Sequence, residues 1–144
     1  MFNTVRDIEG DVNEIWKPDS FLLAEISGPR SVPGYIYKGL GLHQVFKASP
    51  KGRRPPTWGL THLGTGLNVC FIQGTVATAF PVATQIAECG DWDFDGPDGW
   101  RNHDPDLPAK AMEIINAHGM CKRGLNNSPV TRDVARQVAM ARAG

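Results

Sequence analysis

The sequence predicts a single small α+β domain over residues 1–144, in which an antiparallel sheet with a central β-hairpin carries helices packed on one face. Three observations lead to this fold class. A chain of 144 residues has the size of one domain and can bury a core without disulfides or metals. Apolar residues alternate over much of residues 20–73, which is typical of strands. After residue 73, apolar residues recur at the spacing that is typical of helices. Glycine and proline, at 16 and 11 residues, indicate many turns between short elements.

The predicted elements begin with a helix over residues 4–16 and a strand over residues 20–27. Pro18 ends the helix, and Gly28 with Pro29 closes the strand. The helix is indicated by apolar residues that recur at helical spacing, namely Val5, Ile8, Val12, Ile15 and Trp16.

Residues 35–46 alternate regularly and predict one long strand with two different faces. One face carries the apolar side chains Ile36, Leu40, Leu42 and Phe46. The other face carries Tyr35, Tyr37, Gly39, Gly41, His43 and Val45. Further along, residues 58–63 and 67–72 flank a three-residue turn with two glycines, and they predict the central hairpin.

Three helices are predicted in the second half of the chain from their apolar spacing and their caps. Thr78 is the expected N-cap of the first, and Gly90 stops it. Asp106 caps the second helix and Ser128 caps the third. The expected ranges are 78–89, 107–118 and 128–143.

Charge is distributed unevenly along the chain, although its net charge is zero. Residues 26–87 contain six cations and no acid, whereas residues 88–106 have a net charge of −6. A stretch of this length without acids indicates a positive surface patch. The alternative is that the basic and acidic blocks neutralise each other across the fold.

The basic block suggests a surface that binds nucleic acid. Aromatic side chains on an open sheet can stack bases, and neighbouring cations can hold phosphates. The aromatic and histidine candidates, which share sides of their predicted strands, are Tyr35, Tyr37, His43, Trp58 and His62. The cationic candidates, in a Pro/Gly-rich loop between those strands, are Lys47, Lys51, Arg53 and Arg54. The alternative interpretation is that the aromatics pack under a helix and the loop is only solvated.

The acidic block suggests a surface that binds protein. Trp92 and Phe94 alternate with aspartates, which predicts an extended stretch that buries two aromatics and leaves the acids in water. Acids with aromatic anchors can occupy a basic groove that normally holds nucleic acid. The candidate contact residues are Asp91, Trp92, Asp93, Asp95, Asp98 and Trp100.

The same residues match half of a calcium-binding loop. Asp91, Asp93, Asp95 and Gly96 fit the first half of the EF-hand pattern, but its twelfth position is Asn102, where a bidentate carboxylate belongs. We therefore expect no metal site here and prefer the interpretation as a strand and turn. A weak calcium-binding module remains an alternative function.

Catalytic and cofactor signatures are missing from the sequence. It has no G-x-S-x-G element, no dinucleotide fingerprint, and no histidine or cysteine pair at zinc-ligand spacing. We expect no cofactor, and an enzyme ranks third among the function classes. The three cysteines fit reduced thiols, and the N-terminus has no apolar signal region. No apolar run has the length of a membrane span, so a cytoplasmic protein without a membrane partner is expected.

Two functional hypotheses follow. The first is a non-catalytic binding protein that docks its basic, aromatic sheet and loop onto nucleic acid or a nucleoprotein complex. The second is a small protein–protein inhibitor or adaptor, of the phage or mobile-element type, that uses residues 88–106 as its contact.

Overall fold

The structure, a computed structural model, describes residues 15–46, 55–96, 103–123 and 129–143. The helix predicted over residues 4–16 lies outside these ranges except for its last two positions. Predicted site residues outside the described ranges are Lys47, Lys51, Arg53, Arg54, Asp98 and Trp100.

Six strands form one antiparallel sheet, in which every strand pairs with its neighbours along the chain. They are β1 (Lys17–Glu25), β2 (Gly28–Tyr37), β3 (Leu40–Phe46), β4 (Thr57–His62), β5 (Asn68–Gln73) and β6 (Cys121–Arg123). β4 and β5 form the central hairpin that the sequence predicts. The antiparallel α+β fold class is therefore confirmed.

The long strand expected over residues 35–46 is wrong, because the chain reverses in its middle. Lys38 and Gly39 have φ angles of 49° and 84°, which form a two-residue hairpin turn between β2 and β3. Tyr37 pairs with Leu40 across this turn. The reversal changes the faces, so the tyrosines share a face with Leu40 and not with His43.

Three helices follow the fifth strand in the described part of the chain: α1 (Val76–Glu88), α2 (Leu107–Ala117) and α3 (Pro129–Ala143). The N-cap of α1 is Thr75 and not the predicted Thr78, because the amides of Thr78 and Ala79 both donate to the Thr75 carbonyl oxygen. Pro81 consequently lies inside the helix, where it has no N–H to donate to Ala77.

The main hydrophobic core lies between α1 and one face of β3, β4 and β5. Phe80 of α1 is central, since its ring lies 5.3 Å from that of Tyr35 and 5.2 Å from that of Trp58, both measured between centroids. Fully buried members of the core include Leu40, Leu42, Leu60, Cys70, Ile72, Ala83 and Ile86. This packing determines which aromatic side chains of the sheet can be reached from outside.

The other side of the sheet is covered in part by the β1–β2 hairpin. The Phe21 ring lies over Gly34 and Gly41, where an added Cβ atom would come within 2.8 Å of it. α3 packs against the same two strands and forms a small apolar cluster of Ala24, Leu67, Val134, Ala135 and Val138. The amide of Ala24 donates to the carbonyl oxygen of Gly66 at 2.8 Å. β1 and α3, from opposite ends of the described chain, thus meet at the turn between β4 and β5.

Candidate functional site

The residues predicted to bind nucleic acid that the structure describes do not share one face of the sheet. Tyr35, Tyr37, Trp58 and His62 lie on the face that α1 covers, and His43 lies on the opposite face. The four loop cations lie outside the described residues.

The expected open aromatic face is covered by α1. Trp58 is 7% exposed and His62 is fully buried. The ring of Phe80 occupies the space in which a base would stack on Trp58, and the Trp58 indole N–H donates to the Gly74 carbonyl oxygen at 3.1 Å. In this arrangement these side chains pack in the core, and Tyr35 and Tyr37 are only half-buried at its border.

His43 is buried among apolar groups on the opposite face of the sheet. Its ring meets that of Phe21 edge-to-face at a centroid distance of 5.8 Å. Burial, with a smaller contribution from the charge of Arg30, lowers the pKa of His43. Its Nδ1 atom has no hydrogen-bond partner among the described residues. His43 therefore contributes to packing, and it is not placed to contact a ligand together with Trp58.

The residues predicted to bind protein show the alternation that the sequence indicates. Asp91, Asp93 and Asp95 are exposed, whereas Trp92 is 1% exposed and Phe94 is half-buried against the core. We call residues 91–96 the acidic segment. Its backbone belongs to no ladder of the sheet, so the expected regular strand is not formed although the two-sided pattern is.

The acidic segment packs on two hairpin turns of the sheet. A Cβ atom at Gly39, in the β2–β3 turn, would come within 2.8 Å of the Trp92 carbonyl oxygen. A Cβ atom at Gly64, after β4, would collide with the carbonyl oxygen of Phe94. The amide of Gly96 also donates to the Gly64 carbonyl oxygen at 3.1 Å. The absence of side chains at these two glycines therefore allows the segment to pack directly on the backbone.

His62 connects the acidic segment to the β4–β5 hairpin through both of its ring nitrogens. Nε2 lies 2.9 Å from the Trp92 carbonyl oxygen, which can only accept, so Nε2 carries the hydrogen. Nδ1 accepts from the Thr65 hydroxyl at 2.9 Å, and that hydroxyl accepts from the amide of Leu67 at 3.2 Å. Burial lowers the pKa of His62 to about 4. A neutral His62 therefore fixes the backbone of the segment.

The aromatic side chains fix the segment from its inner side. The Trp92 indole N–H donates to the Ile86 carbonyl oxygen at 2.9 Å, near the end of α1. The Phe94 ring lies 4.2 Å from the His62 ring, measured between centroids, with 33° between their planes. Trp92, a candidate contact residue for a partner, is buried as the alternation predicts and anchors the segment to the protein's own core.

The carboxylates of the segment are oriented by neighbouring polar groups. Asp91 accepts from the amide of Asp93 at 2.9 Å and pairs with His103 at 2.9 Å. These two contacts, the amide first, lower the pKa of Asp91. Asp95 accepts from the Arg142 guanidinium at 2.9 Å, which connects the segment to α3. The side chains of Asp91 and Asp95 nevertheless remain 61% and 58% exposed, so both can accept further hydrogen bonds.

The segment can therefore present a row of carboxylates to a cationic surface. The backbone between these carboxylates is not a regular strand, because the amide of Phe94 donates to the Trp92 carbonyl oxygen at 3.0 Å and closes a tight turn at Asp93. Within the described ranges, no group of three or more histidine, cysteine, aspartate or glutamate side chains is placed to hold a metal ion.

Comparisons with known proteins identify no relative of this chain. No family model, no curated protein and no solved structure matches it. Within the described residues, no helix combines the length and the apolar character needed to cross a membrane.

Several residues of the site could not be assigned from the sequence. His62 was expected on a nucleic-acid surface, and only its three-dimensional neighbours show that it holds the segment. His103 and Arg142 are 12 and 47 residues from their carboxylate partners, and no local pattern indicates such pairs. Gly64 was expected in a turn and Gly39 within a strand, and nothing in the sequence identified residues 91–96 as the segment that packs on both.

Proposed function

We propose that this protein is a non-catalytic inhibitor or adaptor that binds a partner protein through its acidic segment. The observation that carries the proposal is the alternation of exposed aspartates with inward-facing aromatics over residues 91–95. The proposed partner has a row of lysine or arginine side chains on an otherwise accessible surface or groove.

Rigidity of the acidic segment supports this function. Its backbone is held by His62 and Gly64, and its inner side chains are held by the core. A segment that is already ordered loses less conformational entropy when it binds. The aspartates therefore meet a partner in an arrangement that the free protein already has.

Electrostatics supports the same function. The segment belongs to a block with a net charge of −6, and complementary charge speeds encounter and excludes partners of like charge. Because the pKa of Asp91 is lowered, this carboxylate stays ionised at lower pH values than an ordinary aspartate does. Because the charges are exposed, we expect the interaction to weaken as ionic strength rises.

The test compares the proteins that variants of the full chain retain from a nuclease-treated lysate. In the charge variant, Asp91, Asp93 and Asp95 are all changed to Asn, which keeps size and removes three charges. We expect a protein that the unchanged chain retains to bind this variant at least about tenfold less, because the variant loses three charges that would face the cationic partner. Retention should also fall with added salt.

A matched control removes the same number of charges elsewhere. Asp19→Asn, Glu113→Gln and Asp133→Asn change three other exposed acids of the described structure. This control should retain the partner like the unchanged chain. Equal retention by both triple variants, or a partner that is lost when nuclease is added, would contradict the proposal.

A second candidate is nucleic-acid binding by the cations of the loop rather than by the sheet aromatics. The β3–β4 ladder supports it, because Gln44 pairs with Trp58 and Phe46 with Thr57, so the residues that flank this basic stretch lie side by side in the sheet. Loops on a rigid scaffold commonly carry binding residues. No acid lies within residues 26–87 to oppose phosphate.

This second candidate is tested by anisotropy with mixed-sequence DNA and RNA oligonucleotides at low salt. Changing Lys51, Arg53 and Arg54 together to Ala should weaken binding more than tenfold. It should also make the salt dependence shallower, by roughly one slope unit for each phosphate that the variant no longer neutralises. The control changes Lys110 and Arg136 to Ala on exposed faces of α2 and α3. No measurable binding by the unchanged chain at low salt would exclude this function.

A further inference from the structure

Two cysteines lie on neighbouring strands at the edge of the sheet. Cys70 of β5 pairs with Arg123, and Cys121 of β6 pairs with Ile72, so the two cysteines are diagonal neighbours on one face. Cys70 is fully buried in the core. Cys121 is half-buried and packs against the same core from the edge strand. One thiol of the pair is therefore accessible and the other is protected.

The two thiols affect each other's ionisation. The neighbouring Cys70 thiol lowers the pKa of Cys121. Its proximity to Cys121, together with burial, raises the pKa of Cys70. The thiolate is the reactive form of cysteine, so the more accessible sulfur is also the one more easily ionised.

We propose that Cys70 and Cys121 form a redox-sensitive dithiol, in which Cys121 reacts with a peroxide and Cys70 closes a reversible disulfide across β5 and β6. The proposal rests on the diagonal register that places the two cysteines on one face of neighbouring strands, and on the difference in exposure between them. It assigns a modification site that is separate from the acidic segment.

The chemistry takes place in two balanced steps. The Cys121 thiolate attacks one oxygen of hydrogen peroxide, which breaks the O–O bond, forms a sulfenic acid on Cys121 and releases hydroxide, which becomes water with one proton. The Cys70 sulfur then attacks the Cys121 sulfur and breaks its S–O bond. The departing hydroxide takes the Cys70 proton and leaves as a second water. Both thiols are oxidised by two electrons in total, and the peroxide is reduced to two waters.

Geometry makes this disulfide reversible rather than structural. Diagonal neighbours in an antiparallel pair have Cα atoms about 7–8 Å apart, whereas disulfides usually need about 4.4–6.8 Å. β6 must therefore shift towards β5 for the bond to close. β6 has three residues, and among the described residues its ladder is with β5 alone, so it can move with little loss of structure. Strained disulfides have more oxidising potentials and are the labile ones.

The test treats the folded full chain with hydrogen peroxide, blocks the remaining thiols by alkylation and identifies the cross-linked peptides by mass spectrometry. We expect a Cys70–Cys121 disulfide that dithiothreitol reverses. The Cys89→Ser variant is the control, because Cys89 lies outside the pair and burial raises its pKa, and it should form the same disulfide.

Single variants of the pair separate the two roles. Cys70→Ala should leave Cys121 as a sulfenic or higher acid without a disulfide. Cys121→Ser should slow oxidation of Cys70 at least tenfold, because the remaining thiol is buried. If Cys70→Ala does not fold, alkylation rates in the unchanged chain provide the same comparison, with Cys121 expected to react at least tenfold faster than Cys70. Peroxide that oxidises Cys89 first, or that takes Cys121 of the unchanged chain to a sulfinic acid without a disulfide, would overturn the proposal.

Discussion

Acidification should destabilise the fold through His62, and the structure supplies the magnitude. Burial lowers the pKa of His62 from 6.5 to about 4. As the pH falls, the unfolded chain therefore takes up a proton before the folded chain does. The stability linked to His62 is fully present above pH 6.5, decreases between pH 6.5 and 4, and is lost once the folded state is also protonated. The difference between a pKa of 6.5 in the unfolded chain and about 4 in the folded chain corresponds to about 3 kcal/mol of stability.

The assay is urea denaturation of the unchanged chain and of His62→Gln over pH 4–7.5. Glutamine keeps a donor that can reach the Trp92 carbonyl oxygen but does not titrate. The variant should be less stable at pH 7.5, since it lacks the hydrogen bond with Thr65 and the ring packing on Phe94. When the pH is lowered from 7.5 to 4, the variant should lose about 3 kcal/mol less stability than the unchanged chain does.

The comparison isolates His62 because other groups titrate in both proteins. His43 and Asp91 also have lowered pKa values, but they are present in both backgrounds and cancel in the difference. Parallel stability curves for the unchanged chain and His62→Gln, or an NMR titration of the His62 ring near pH 6.5, would refute the reasoning.

Further predictions concern the acidic segment. Gly64→Ala should lower the free energy of unfolding, measured by urea denaturation, by about 3 kcal/mol or more. The added Cβ atom would collide with the Phe94 carbonyl oxygen and displace the segment from the turn. Gly119→Ala, with open space around the added atom, should cost less than about 0.5 kcal/mol. Trp92→Ala should cost about 3–5 kcal/mol through the cavity that it leaves, and Asp93→Asn should be near neutral. Calcium at about 1 mM should not shift the melting temperature relative to excess chelator, since the loop has no bidentate ligand at its twelfth position.

Two outcomes would change the role assigned to the acidic segment. A neutral Gly64→Ala variant would mean that the segment does not depend on close packing against the turn. A rise in melting temperature with calcium that Asp93→Asn abolishes would assign the segment to metal binding.

The sequence predicted the elements whose signals are local. The β4–β5 hairpin was marked by glycines between two apolar runs, and the helices by their apolar spacing, so the ends of these elements were placed within a few residues although the cap expected at Thr78 was wrong. The alternation of Trp92 and Phe94 with aspartates was also visible, because a pattern that repeats every two residues can be recognised without knowing which residues pack against it.

The missed features depend on conformation or on distant contacts. The turn at Lys38 and Gly39 was hidden because a lysine rarely adopts a positive φ angle and the alternation continued through it. The aromatic residues of the sheet showed their spacing but not the side that α1 would cover, so Trp58 was a candidate for a binding surface while packing under a helix remained the alternative that the structure shows. Every residue of β4 is buried, so the strand by itself does not show which of its two faces α1 covers.

The order of the strands has a consequence for how the chain folds. β1 to β5 follow one another as a meander, so each of these strands finds its partner across a short connection. β6 joins only after α1 and α2 have been made, and closing that loop over residues 74–120 costs more entropy. During synthesis, the meander and α1 can form while the C-terminal part is still being added. Amides of β6 should accordingly be among the first of the sheet to exchange with solvent deuterium.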